Sequence, residues 1–198
     1  PVCVIAGAGT GKTRAITQRI AYGVEVGAFD PRKVLALTFT AKAAGEMRAR
    51  LRSLGVPTVA ARTIHSAALK QLLYFWPSVF GGRTPDLITT KTGFLTEAIN
   101  RAGLSDSVRA TNRELMRDIA SEIEWAKVSQ VAPSDYVDEI SKRMQKPRVL
   151  PEQMVQIYTA YESVKKQELA IDFEDVLLLC AAMLEEEREV RERVQDQY

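Results

Sequence analysis

A chain of 198 residues, 46% apolar and 26% charged, has the make-up of a globular protein with one large domain or two small ones. No apolar run reaches the length of a membrane span, and a strand and glycine-rich turn stand where a secretory signal belongs. The formal charge of +2 hides an asymmetry: residues 1–76 hold eleven Lys or Arg against three acids, and the remainder sixteen against twenty-two. A basic segment of that kind suits a polyanionic partner, and solvated surface cations produce the same count. Cys3 and Cys180 each sit in an apolar stretch and read as buried free thiols suited to a reducing cytoplasm. No Cys and His pairing has metal-ligand spacing.

In chain order, Val2–Ile5 reads as a buried strand and Lys12 to about Gly23 as a helix. A second strand follows at Val34–Thr38, a helix over Ala41–Leu54, a short third strand at Thr58–Arg62 and a helix over Ile64–Trp76. Repeated strand–helix units predict an α/β fold with a parallel sheet and helices on both faces. Ligands of such sheets gather at the carboxyl ends of the strands. After Pro77 the pattern changes to helix after helix, with candidates at Thr92–Ala102, Asn112–Val128, Ser134–Arg143 and Pro151–Glu168 and no convincing strand. Pro151 suits a first helical position. Asp172 then caps a long helix expected to run toward Arg193, with Glu187–Arg191 and Glu189–Arg193 in the favourable i,i+4 order.

The first strand feeds Ala6-Gly7-Ala8-Gly9-Thr10-Gly11-Lys12-Thr13, the layout of a nucleotide-phosphate loop. Glycines let backbone N–H groups converge on phosphates, Lys12 reaches the β- and γ-phosphates of ATP, and the Thr13 hydroxyl ligates Mg²⁺. The helix opening at Lys12 adds its positive end to the same anion site. Ala6 departs from the general pattern, which asks for glycine there. The second informative stretch is Thr38-Phe39-Thr40 with Lys42 just beyond, where a strand ends in a hydroxyl–aromatic–hydroxyl triplet and a helix begins. Thr40 can cap that helix. Phe39 either stacks on an unpaired base or packs in the core. Thr63-Ile64-His65-Ser66 marks the end of the third strand. His65, the only histidine, faces DNA or packs beside the strand end.

The ordered set Ala6–Arg14, Thr38–Thr40 with Lys42 to Met47, Thr63–Ser66 and Asp172-Phe173-Glu174-Asp175 resembles the UvrD/Rep/PcrA family of superfamily 1 DNA helicases. Alanine at the position of Ala6 is ordinary in that family. The resemblance implies that residues 1–76 and 170–198 are parts of a RecA-like P-loop motor domain (1A). It implies that residues 77–169 form an inserted all-helical domain (1B). It also implies that Lys12 and Thr13 hold the triphosphate and Mg²⁺, that Arg14 packs against adenine, and that Phe39 stacks on a base of the tracking strand. Thr38, Thr40, Lys42, Thr63, His65 and Ser66 then lie along the DNA. The implied partners are single-stranded and partly duplex DNA, with repair or replication proteins, in a bacterial cytoplasm at the nucleoid. Ala41 and Ile64 depart from the family's frequent Asn and Phe. The family's adenine-reading glutamine motif and its Asp-Glu segment fall outside the 198 residues, so the sequence reads as an N-terminal fragment of a larger ATPase. A non-motor nucleic-acid-binding subunit and a P-loop kinase are the alternatives.

Overall fold

Two short parallel ladders organise the chain. The computed structural model describes residues 2–7, 9–105, 108, 113–144 and 147–198. Strand β1 (Leu35–Thr38) pairs with β2 (Ala60–Thr63), Leu35 opposite Ala60 and Thr38 opposite Thr63. Strand β3 (Asp86–Leu87) pairs with β4 (Ala170–Ile171). The fold is therefore mixed α/β with small parallel sheets, and each sheet has two strands among the described residues. Two compact units emerge, one of residues 1–75 and 180–198, the other of residues 76–179.

In the first unit, helix α1 (Lys12–Glu25) and helix α2 (Ala41–Ser53) enclose a small core with the β1–β2 ladder. Ile20 from α1 meets Ala36, Met47, Leu51, Val59 and Ala61 there. A parallel pair needs a crossover, and α2 supplies it. Gly23 is required by close approach, since a Cβ at this position would lie 2.2 Å from the Phe29 ring. Helix α3 (Ile64–Val79) follows β2 directly and runs three residues past the expected end, through Pro77.

Four expectations fail at the two ends of the chain. Val2–Ile5 forms no strand, and Val2, Val4 and Ile5 are exposed, as is Cys3. A strand exists only against a ladder partner, and the described residues give this run none. The long C-terminal helix is two helices, α8 (Phe173–Glu186) and α9 (Arg188–Gln197), separated at Glu187 in extended geometry. Arg191 donates to the carbonyls of Leu184 (3.0 Å) and Glu185 (3.1 Å), which satisfies the end of α8 instead of pairing with Glu187. The i,i+4 pair on α9 is Arg188–Glu192 at 2.7 Å, and Arg193 lies over the Phe75 ring.

The second unit holds most of the buried apolar surface. Helices α4 (Thr92–Arg101), α5 (Arg113–Val128), α6 (Tyr136–Ser141) and α7 (Pro151–Gln167) present apolar faces at helical spacing. Leu95, Ala98 and Ile99 meet Ile119, Ile123, Met154, Ile157 and Tyr161 in one core. Strand β3 is missed by periodicity because two residues carry no alternation. Its amide at Asp86 donates to Leu169 (2.9 Å), which holds Leu169 in the left-handed region at φ 50°.

Asp172 closes this unit. It is fully buried and accepts from both its neighbours' ammonium groups: Lys127 of α5 at 2.7 Å on each oxygen, and Lys165 of α7 at 3.0 Å. The Tyr161 hydroxyl adds a bond of 3.2 Å. Asp172 and Asp175 cap one another's backbone amides (2.9 and 3.0 Å), and Asp175 also binds Lys127 and Lys165. The carboxylates of Glu162, Asp172 and Asp175 come within 4.8 Å of one another, with the two ammonium groups among them as counter-charges. Burial alone raises the Asp172 pKa, but Lys127 and Lys165 outweigh it and hold the carboxyl well below the usual range. Residues 170–179 lie in the same compact unit as these helices.

Removing one partner of a buried pair strands the other charge, so Lys165→Met should cost about 3–5 kcal/mol in urea melts. Because the folded pKa of Asp172 is depressed, its contribution is present above the unfolded value near ~3.9 and lost as pH falls below it. Asp172→Asn should flatten that part of the acid-unfolding profile.

Candidate nucleotide and nucleic-acid sites

The glycine-rich turn is built by backbone conformations that only glycine adopts without strain. Gly9 (φ 77°) and Gly11 (φ 89°) occupy the left-handed region, and Gly11 is the N-cap of α1. The Thr10 hydroxyl donates to the Gly7 carbonyl at 2.8 Å, closing the turn. Lys12 folds back over it, donating to the carbonyls of Ala6 (3.0 Å) and Gly7 (2.5 Å). Ala8 lies outside the described residues. Thr13 and Arg14 are exposed in the first turn of α1. Their carbonyls accept from the buried Thr17 hydroxyl, at 3.0 Å each, which anchors that turn from behind.

This loop fits a nucleotide triphosphate on three counts. No side chain caps α1, so its first amides face outward as an anion site. No acid stands in the first turn of α1. Among the described residues Lys12 is engaged by carbonyl oxygens alone, and an anionic phosphate oxygen makes a stronger, charge-assisted partner. The exposed Thr13 hydroxyl is the side chain placed to ligate Mg²⁺.

The β1–β2 ladder brings two of the sequence motifs together. Thr38 and Thr63 are register partners, so the Thr38-Phe39-Thr40 exit and the Thr63-Ile64-His65-Ser66 exit share one strand edge. Phe39 is 85% exposed at that edge, which removes the core-aromatic alternative. Thr40 caps α2, its hydroxyl accepting from the Ala43 amide at 3.1 Å. Lys42 is exposed in the first turn of α2, on the same helix as the exposed Arg48, Arg50 and Arg52. None of these four cations joins an ion pair among the described residues. His65 is half-buried at the start of α3.

Two hydroxyls have a local task that the sequence did not reveal. Thr63 accepts from the Ser66 amide at 3.1 Å, and the Ser66 hydroxyl donates back to the Thr63 carbonyl at 3.0 Å. That reciprocal cap fixes the turn from β2 into α3. The phosphate loop's own hydrogen bonds are local, and none joins it to these strand exits among the described residues. The second omission is the role of Asp172 and Asp175 as buried anchors. Its signal was legible: Lys127 follows Ile123 by four and Lys165 follows Tyr161 by four, placing both on apolar faces.

The UvrD/REP helicase N-terminal domain family matches residues 1–198. The chain is 42% identical over 209 residues to the ATP-dependent DNA helicase UvrD2 of Mycobacterium tuberculosis, covering 100% of this chain and 29% of that protein. It is 31% identical over 202 residues to the ATP-dependent DNA helicase PcrA of Leuconostoc citreum, covering 100% and 26%. The ATP-dependent DNA helicase Rep of Buchnera aphidicola is 28% identical over 202 residues, covering 99% and 28%. The chain spans less than a third of the length of these relatives. It belongs to the UvrD/Rep helicase family, matching its N-terminal domain.

The caps make a direct prediction. Thr40→Ala and Thr63→Ala should each lower stability by about 1 kcal/mol, since each leaves a helix-start amide without its acceptor. Denaturant melts measure this, and Thr40→Ser should recover most of the loss.

Proposed function

We propose that this chain is the ATP- and DNA-binding part of an ATP-dependent DNA helicase that moves along single-stranded DNA, 3′ to 5′, and unwinds duplexes. The observation that carries this reading is the exposed Phe39 at a parallel strand edge, in a chain that also holds an uncapped, acid-free phosphate loop. A bare phosphate-binding enzyme has no use for an exposed aromatic followed by a capped helix rich in unpaired cations. A translocase needs both sites.

The domain reading belongs to the same proposal. Residues 1–76 and 170–198 form parts of a RecA-like motor domain (1A) with a larger parallel sheet than the two-stranded ladder, and residues 77–169 form the helical domain (1B). Gly7, Gly9, Thr10 and Gly11 shape the cradle for the triphosphate. Lys12 leaves the Ala6 and Gly7 carbonyls for the β- and γ-phosphates, and Arg14 packs against adenine. Thr13, together with the phosphates, would hold Mg²⁺, which would supply charge neutralisation at the γ-phosphoryl group. Phe39 offers its face to one base of the strand. Thr38, Thr40, Lys42, Thr63, His65 and Ser66 line the backbone path, with Thr63 and Ser66 acting through the turn they close.

Two substitutions in the full-length protein test the reading. Lys12→Ala should remove ATP hydrolysis and unwinding while leaving single-strand affinity within about twofold, read by phosphate release and fluorescence anisotropy. Loss of strand binding without nucleotide would contradict separate sites. Phe39→Ala should weaken oligonucleotide binding by about 1–3 kcal/mol, the value of one stacked base, with little change in stability because the ring is exposed. A destabilised protein of unaltered affinity would remove the stacking role.

A further inference from the structure

The helical unit contains a cavity of about 530 Å³ that the helicase motifs leave unused. Three helices begin on its wall. Thr92 opens α4, Arg113 opens α5 with Met116 and Arg117 one turn on, and Phe173 opens α8. The start of α4 has no side-chain cap and no acid in its first turn. Helix N-termini carry the positive end of the backbone dipole, which stands open at α4 but is met at α8 by the Asp172 cap with Glu174 and Asp175 in the first turn, and at α5 by Glu114.

The side chains act on the same wall. Lys91 bridges Glu124 and Glu174 at 2.8 Å each, which ties up both carboxylates of the wall. Arg113 and Arg117 are exposed and join no ion pair among the described residues. Their helical neighbours Glu114 and Asp118 pair instead with Arg148, at 3.4 and 3.0 Å. The cavity therefore presents two exposed guanidinium groups without an ion pair among the described residues, one helical turn apart, with Cβ atoms roughly 5–6 Å from each other. Thr89 and Thr92 are exposed on its wall, and Phe173 keeps 43% of its surface open. The buried network of Asp172 and Asp175 with Lys127 and Lys165 fixes the start of α8, and so fixes where Phe173 and Glu174 stand.

We propose that this cavity is a second binding site for single-stranded nucleic acid, with Arg113 and Arg117 on successive phosphates and Phe173 beside a base. Spaced cations with a partly open aromatic match a strand, whereas a lone phosphate has no use for the ring. The proposal rests on the DNA-binding reading above and places a further contact on the helical unit. Arg113 and Arg117 make the phosphate contacts, and Lys91 is a positioning residue that offsets one of the wall's two carboxylate charges.

The test is Arg113→Ala with Arg117→Ala in the full-length protein, titrated with fluorescein-labelled oligo(dT) between 50 and 200 mM salt. Each single-strand phosphate contact contributes about 0.7 to the slope of log affinity on log salt. Losing two should lower the slope by about 1.4, so the affinity lost over that salt range shrinks about sevenfold. DNA-independent ATP hydrolysis and thermal stability should be unchanged, since both side chains are exposed. An unaltered slope and affinity in the double variant overturns the cavity site alone. Failure of the unaltered protein to bind oligo(dT) overturns the DNA-binding reading, and the cavity site falls with it.

Discussion

A carboxylate with no solvent exposure is tolerated only if charge and hydrogen bonds replace the water it has lost, and Asp172 sets that requirement for the helical unit. Meeting it takes Lys127 from α5, Lys165 and Tyr161 from α7, and the Asp175 amide from α8. The donors come from three different helices, so the network forms only when these helices are already in register. The apolar core sets how closely α4, α5 and α7 pack. The ion cluster sets where α8 begins. Oil-like packing alone specifies the second far less sharply, since one apolar face slides on another at little cost while a stranded ammonium does not.

The β1–β2 ladder plays the corresponding part in the first unit. A parallel pair sends both strands out at the same edge, and every connection then has to cross over before the next strand starts. Thr38 opposite Thr63 is the consequence. Two segments separated by a whole helix in sequence leave the sheet side by side, each passing at once into a helix whose start is capped by a threonine hydroxyl. The exposed Phe39 and the cations of α2 follow from that edge rather than from any property of the residues alone.

Most of the longer helices were legible because they carry several turns of apolar period, the split between α8 and α9 being the exception. Those of α1, α2, α4, α5 and α7 start or end within two residues of the sequence expectation. Legibility failed wherever structure depends on a partner. Val2–Ile5 has the composition of a buried strand and no ladder among the described residues, and β3 is two residues long with no pattern to read. The break at Glu187 depends on Arg191 finding the α8 carbonyls, which charge order alone predicts wrongly. The same holds at the candidate sites. The phosphate loop is visible as a string of residues because its glycines are needed where they stand. Whether Phe39 is a core ring or an open one is a fact about its surroundings, and the sequence carries no trace of those.

Net charge is a poor guide to where a polyanion binds. Residues 77–198 carry more acids than bases, yet the cavity at the starts of α4, α5 and α8 is lined by the exposed Arg113 and Arg117, which join no ion pair among the described residues. At physiological ionic strength screening acts over about 8 Å, so a phosphate senses the few charges around it and not the sum over the unit. What matters locally is which carboxylates are already committed. Glu124 and Glu174 are held by Lys91, and Glu114 and Asp118 by Arg148. Each of these cations serves two acids, so each group keeps one negative charge, and Arg113 and Arg117 are the cations on the wall that offset it. An acidic unit can in this way keep two cations open to solvent at one place on its surface.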